Sequence, residues 1–116
     1  MKSTQESLAS YEKALEMTEP LATARPPNVL ALYVVADAYS GLGDIASGRA
    51  TRAGAAAQEA LYWKEASSWY EKSLRISREI PNHGVVSPEG FAAVSPDDVR
   101  RRLDTCRQQL NRANLR

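Results

Sequence analysis

In its 116 residues the sequence has a single cysteine, Cys106, and a single histidine, His83. One cysteine excludes an intrachain disulfide and makes a reducing compartment the default. One histidine, with no second His or Cys near it, leaves nothing at zinc-ligand spacing. Long apolar runs are missing too. The longest, Val29 to Ala36, spans eight residues, far short of the ~20 that cross a bilayer. Met1-Lys2 is not followed by an apolar stretch, so no secretory signal is legible. Charge of one sign is also lacking: 15 basic against 14 acidic side chains give +1, which argues against a general affinity for nucleic acid or anionic membrane. No alternating run of β-branched residues bounded by turns reads as a strand pair. These absences lead to the expectation of one soluble, cytoplasmic, all-α domain with no metal and no cofactor.

What is present is helical periodicity, in about four segments. The first runs from Thr4 to about Glu19, with Leu8, Tyr11, Leu15 and Thr18 at helical spacing; Ser3 or Thr4 caps it and Pro20 ends or kinks it. Asn28 caps a second helix to about Leu42, where Gly43-Asp44 breaks it. That helix is apolar nearly all round, the mark of packing on more than one side. The third is long, from about Arg52 to Ile80, with Pro81 as the stop. It carries two apolar stripes, Trp63, Ala66, Tyr70 and Leu74 on one and Tyr62, Trp69, Ile76 and Ile80 on the other. Together they cover roughly 160° of arc, so this helix lies in a groove between two others. A loop rich in Pro, Gly and Ser follows, with Val85, Val86 and Phe91 as anchors. Ser95 at the N-cap, Pro96 at N1 and Asp97-Asp98 in the first turn open the last helix. Its stripe is Val99, Leu103, Cys106 and Leu110.

One phrase occurs twice: "YEKALEM" at 11–17 and "YEKSLRI" at 70–76, 59 residues apart. Around the second copy, "LYVVADAYSGLGD" (32–44) resembles the first helix of a tetratricopeptide repeat, and "WKEASSWYEKSL" (63–74) resembles the second. That repeat is a ~34-residue helix–turn–helix with large, small and aromatic residues at fixed offsets. Leu32 stands at the large position usually held by Trp. Val35-Ala36 match the Leu-Gly pair, Tyr39 the Tyr, and Gly43-Asp44 the turn. Ala66, Tyr70, Ser73 and Leu74 match the small, aromatic, small and Leu positions of the second helix. The resemblance implies antiparallel helix pairs of a TPR-like α–α superhelix. Leu32, Ala36, Tyr39, Gly43, Trp63, Ala66, Trp69, Tyr70 and Leu74 are its structural positions.

The stretch 45–62, "IASGRATRAGAAAQEALY", departs from that pattern. Its Ala-rich second half favours helix, so it is expected to lengthen both helices into a protruding hairpin tip. The chain then divides into the second helix of a partial repeat (4–24), a full repeat with an insertion (28–80), and a loop with a capping helix (81–116). A narrower resemblance covers 32–110. The order of these segments, through "IPNHG" and "SPEGFAAVSPDDVRRRLDTC", is similar to the C-terminal end of large soil-bacterial proteins in which a Ser/Thr protein kinase domain precedes such repeats. It implies a piece of a longer protein. No kinase chemistry lies in this chain: a Gly-rich loop ahead of a strand Lys, His-Arg-Asp and Asp-Phe-Gly are all missing.

Candidate chemistry is thin. His83 reads as a turn residue, Cys106 as a small buried hydrophobe, and the arginines at 100–102 as a solvated face beside Asp97, Asp98 and Asp104. Tyr62, Trp63, Trp69 and Tyr70 could stack bases or cage a cation, but both tryptophans lie on the packing stripes. The resemblance implies a partner peptide along the inner face of the first repeat helix, at Leu30, Tyr33, Asp37 and Ser40. The sub-class that clamps a C-terminal carboxylate uses Lys and Asn there, and Tyr33 and Asp37 do not suit that ligand. The expected function is a non-enzymatic module binding a protein or peptide. The alternative is a purely structural end-cap. The exposed flank of the first helix, lacking a repeat partner, invites self-association.

Overall fold

The computed structural model describes residues 4–80 and 95–115, and all four elements in them are α-helices: α1 (Thr4–Ala22), α2 (Val29–Arg52), α3 (Ala56–Glu79) and α4 (Pro96–Asn114). The loop expected at 81–94, with His83, Val85, Val86 and Phe91, lies outside the described residues, as does Ser3. The helices pack in chain order, α1 on α2, α2 on α3 and α3 on α4, in a body of 46 × 27 × 24 Å.

Contacts fix the directions. Ser73 Oγ donates to the Ala36 carbonyl at 2.7 Å, and Tyr70 Oη donates to Asp44 Oδ1 at 2.6 Å. Moving forward along α2 thus means moving backward along α3, and the pair is antiparallel. Arg102 pairs with Asp44, and Ser47 Oγ lies 3.6 Å from Cys106 Sγ. Both positions advance together, so α4 runs parallel to α2.

The ends of the helices follow local chemistry in part. Asn28 is the N-cap of α2, its side chain accepting from the Ala31 N–H at 2.9 Å. Ser95 stands at the N-cap of α4 with Pro96 behind it, but its hydroxyl makes no capping bond. Pro20 does not end α1, which continues to Ala22. A proline so near the C-terminus breaks little of the ladder, and burial of Ala22 to 4% exposure holds the final turn.

The larger correction is at Gly43-Asp44. These residues form no turn: α2 runs through them to Arg52, and the connection to α3 is made by residues 53–55. A helical glycine costs about 1 kcal/mol relative to alanine, and here it gives room to an aromatic ring. A Cβ on Gly43 would lie 2.5 Å from Tyr70 Cε1. The 45–62 stretch lengthens both helices, though α3 begins at Ala56 and not Arg52.

The two stripes of α3 separate into two interiors. Trp63, Ala66, Tyr70 and Leu74 join Ala46 and Ala50 of α2 and Val99, Leu103 and Cys106 of α4. Trp69, Ile76 and Ile80 instead pack against a second cluster, built from Leu15 and Ala22 of α1 with Leu32, Val35 and Leu42 of α2. Tyr62 departs from its expected stripe and packs with the α4 cluster. α2 is the one helix among the described residues long and apolar enough to cross a bilayer, and more than half of its apolar stretch is buried. Packing between α1 and α3 accounts for its composition as that of a core helix.

Candidate functional site

The four residues expected to line a partner face do not share one environment. Leu30, in the first turn of α2, is 49% exposed. Tyr33 and Asp37 follow at one-turn steps and are half-buried. Ser40 is buried at 3% exposure and is not available to a partner. It stands one turn past Ala36 and one turn before Gly43, on the flank that meets α3. The accessible face is therefore Leu30, Tyr33 and Asp37.

Asp37 sits in an acidic setting. Burial, and then the nearby Asp44 carboxylate, hold its carboxyl above the usual range. Tyr11 of α1 is raised by burial and then by Asp37 and Asp44, and its ring occupies the space a Cβ on Gly41 would take. A cleft of about 250 Å³ runs beside it, lined by Thr4, Ser7, Tyr11, Asp44, Gly48 and Arg52 among others.

Because the folded state raises the Asp37 pKa, it binds the proton more tightly than the unfolded chain does. Stability from this group therefore falls as pH rises from the ordinary aspartate value through the folded one, and ionised Asp37 is a liability at pH 7. Asp37→Asn is expected to be more stable than the native chain at pH 7. The difference should vanish well below pH 3.8, the ordinary value. Denaturant melts of both chains across pH check this.

Two turns further along α2 a polar network joins it to α3 and α4. Asp44 accepts from Tyr70 Oη at 2.6 Å and from Arg102 at 3.1 Å. Ser47 Oγ lies 3.3 Å from Tyr70 Oη and 3.6 Å from Cys106 Sγ. Burial and the bond to Asp44 push the Tyr70 hydroxyl far up, so it stays a donor at any ordinary pH. Burial pushes the Cys106 thiol up as well, leaving it a protonated packing group without thiolate reactivity. Periodicity and motif do not disclose this network, because Gly43-Asp44 reads as a turn. Its one trace in the sequence is Asp44 and Ser47, three residues apart in a run of small residues.

The remaining structural positions lie inside. Leu32 and Ala66 are fully buried, Ala36 and Tyr70 are 2% exposed, and Trp63 and Leu74 are nearly so. Trp63 Nε1 donates to Glu59 at 3.1 Å. Tyr39 and Trp69 stack with centroids 5.7 Å apart, and Lys72 Nζ stands 4.7 Å over the indole. Both tryptophans are thus engaged within the fold. Among the described residues no group of three or more His, Cys, Asp or Glu side chains could hold a metal ion. No protein-family model, curated protein or solved structure matches the chain.

Proposed function

We propose that this chain is a non-catalytic, tetratricopeptide-like helical module that binds a protein or peptide along α2. One observation carries the reading. α2 and α4 touch through Asp44–Arg102 and Ser47–Cys106, pairs separated by 58 and 59 residues. The related phrases in α1 and α3 are 59 residues apart. In a tandem array of helical hairpins, equivalent helices of successive units lie side by side at the repeat length. One displacement relating α1 to α3 and α2 to α4 supports a hairpin repeat enlarged by the 45–62 insertion.

In such an array the face of α2 bearing Leu30, Tyr33 and Asp37 is the partner surface, with an aromatic ring and a carboxylate for a peptide that offers apolar and basic groups. The test is affinity capture with the native chain and with the Tyr33→Ala, Asp37→Ala double variant, both checked for unchanged helicity. Loss of the native chain's captured partners in the variant is the expected result. Capture unaffected by both substitutions removes this face as the binding site.

A second reading is favoured by α4. Its outer residues Arg100, Arg101, Asp104, Arg107, Gln108 and Asn111 are all exposed and polar, as befits the closing helix of an array. If the native chain captures nothing, the module serves as an end-cap without a ligand of its own.

A further inference from the structure

The charge of this chain is nearly balanced overall but not locally. α1 carries Glu6, Glu12, Glu16 and Glu19 against Lys13 alone. At the other end of the molecule a cleft of about 330 Å³ opens between α3 and α4, with Arg75, Arg78, Arg100 and Arg107 on its walls. Glu71 and Asp104 are the acids there, and Leu74 and Leu103 also line it. Arg107 is paired with Glu71 at 3.2 Å. Arg75, Arg78 and Arg100 are exposed, and none makes an ion pair with a described residue. With Asp104 as the one acid there outside the Arg107–Glu71 pair, three exposed guanidiniums leave the cleft with a positive excess, opposite in sign to α1.

The repeated phrase identifies a counterpart. Glu16 and Glu19 of α1 stand at the positions that Arg75 and Arg78 hold in α3, 59 residues on. Two helices of one sequence pattern thus present the same surface positions with opposite charge. Glu12, Glu16 and Glu19 line an open depression of about 550 Å³ on α1, and all three are exposed. We infer that the α3–α4 cleft receives the acidic edge of α1 from a second copy of this chain. Guanidiniums suit carboxylates through paired N–H donors, and opposed patches steer association and fix its register. The contact is heterologous, edge to cleft, and either closes as a reciprocal pair or propagates. This goes beyond the binding reading above, since it uses neither Tyr33 nor Asp37, and failure of that reading leaves it standing.

The experiment is sedimentation equilibrium of the whole chain at about 0.02 M and about 0.5 M salt, because exposed pairs are screened beyond a few ångströms at the higher strength. Self-association is expected at low salt and should weaken roughly ten-fold or more at high salt. Glu12→Arg with Glu16→Arg, and separately Arg75→Glu with Arg78→Glu, should each leave a monomer with unchanged helicity. An equimolar mixture of the two variants should associate again. A native chain that stays monomeric at all concentrations overturns the proposal, as does association indifferent to both reversals. Association lost only in the arginine variant shows that the cleft takes some other acidic segment, and it overturns α1 as the occupant.

Discussion

Tyr70→Ala is expected to destabilise the chain severely, by about 3–5 kcal/mol. The ring is 2% exposed and lies in the cluster that α2, α3 and α4 share. Its removal leaves a cavity bounded by all three helices. It also takes a donor from Asp44 and the neighbouring group from Ser47. Tyr70→Phe separates these effects, because it keeps the ring and loses only the hydroxyl. Asp44 is exposed and retains Arg102, so the phenylalanine variant should cost about 1 kcal/mol. Thermal melts would show a midpoint lowered by more than about 12 °C for alanine and by about 4–8 °C for phenylalanine. Equal shifts for the two would mean that the hydroxyl, and not the ring, holds the three helices together.

Gly43→Ala should also destabilise, and that sign is opposite to what helix propensity gives. Alanine in a helix interior should gain about 1 kcal/mol over glycine. At Gly43 the new methyl would meet Tyr70 Cε1 at 2.5 Å and Cδ1 at 2.7 Å. The ring cannot swing aside, being buried and tethered through its hydroxyl to Asp44. Overpacking of this kind costs about 1–3 kcal/mol beyond the gain, so net destabilisation is expected. Gly41→Ala is the control. Its methyl also meets a ring, the outer end of Tyr11, but Tyr11 is only half-buried at the margin of its cluster and borders an open cleft toward which that end can shift. That variant should fall within about 1 kcal/mol of the native chain. If denaturant midpoints rank the two glycines alike, then the tight approach of α2 to α3 at Gly43 is not what the geometry indicates.

The same glycines show which features are legible in a sequence and which are not. Apolar periodicity is a property of single helices, and it locates four of them with their buried faces. The two stripes of α3, apart from Tyr62, face two interiors because the arc they cover is wider than one neighbour needs. Gly43-Asp44 misleads because a glycine followed by an acid is written alike for a turn and for a close helix approach. Only the ring of a residue 27 positions later, Tyr70, distinguishes the two. Ser40 is misplaced for a related reason. It lies seven residues past Tyr33, on nearly the same side of α2, yet it is buried where Tyr33 is half-buried; what covers each level of the helix is set by its neighbours and not by its own period. The basic cleft is not legible at all, since Arg75 and Arg78 meet Arg100 and Arg107 only after α4 folds back along α3. That return is a matter of tertiary packing.

The three-residue link at Ala53-Gly54-Ala55 has a consequence in time as well as in space. It joins two 24-residue helices whose partners are met almost as soon as the chain doubles back, so closing that loop costs little entropy. The main interfaces all join consecutive helices, and proteins rich in such local contacts fold in microseconds to milliseconds. Folding is therefore expected to begin at this tip, with α2 zipping against α3 from Ala50 and Trp63 toward Ala36 and Ser73. α1 and α4 then settle onto opposite sides of a hairpin already formed. The tip that joins the two long helices would on this view be the place from which the whole structure grows.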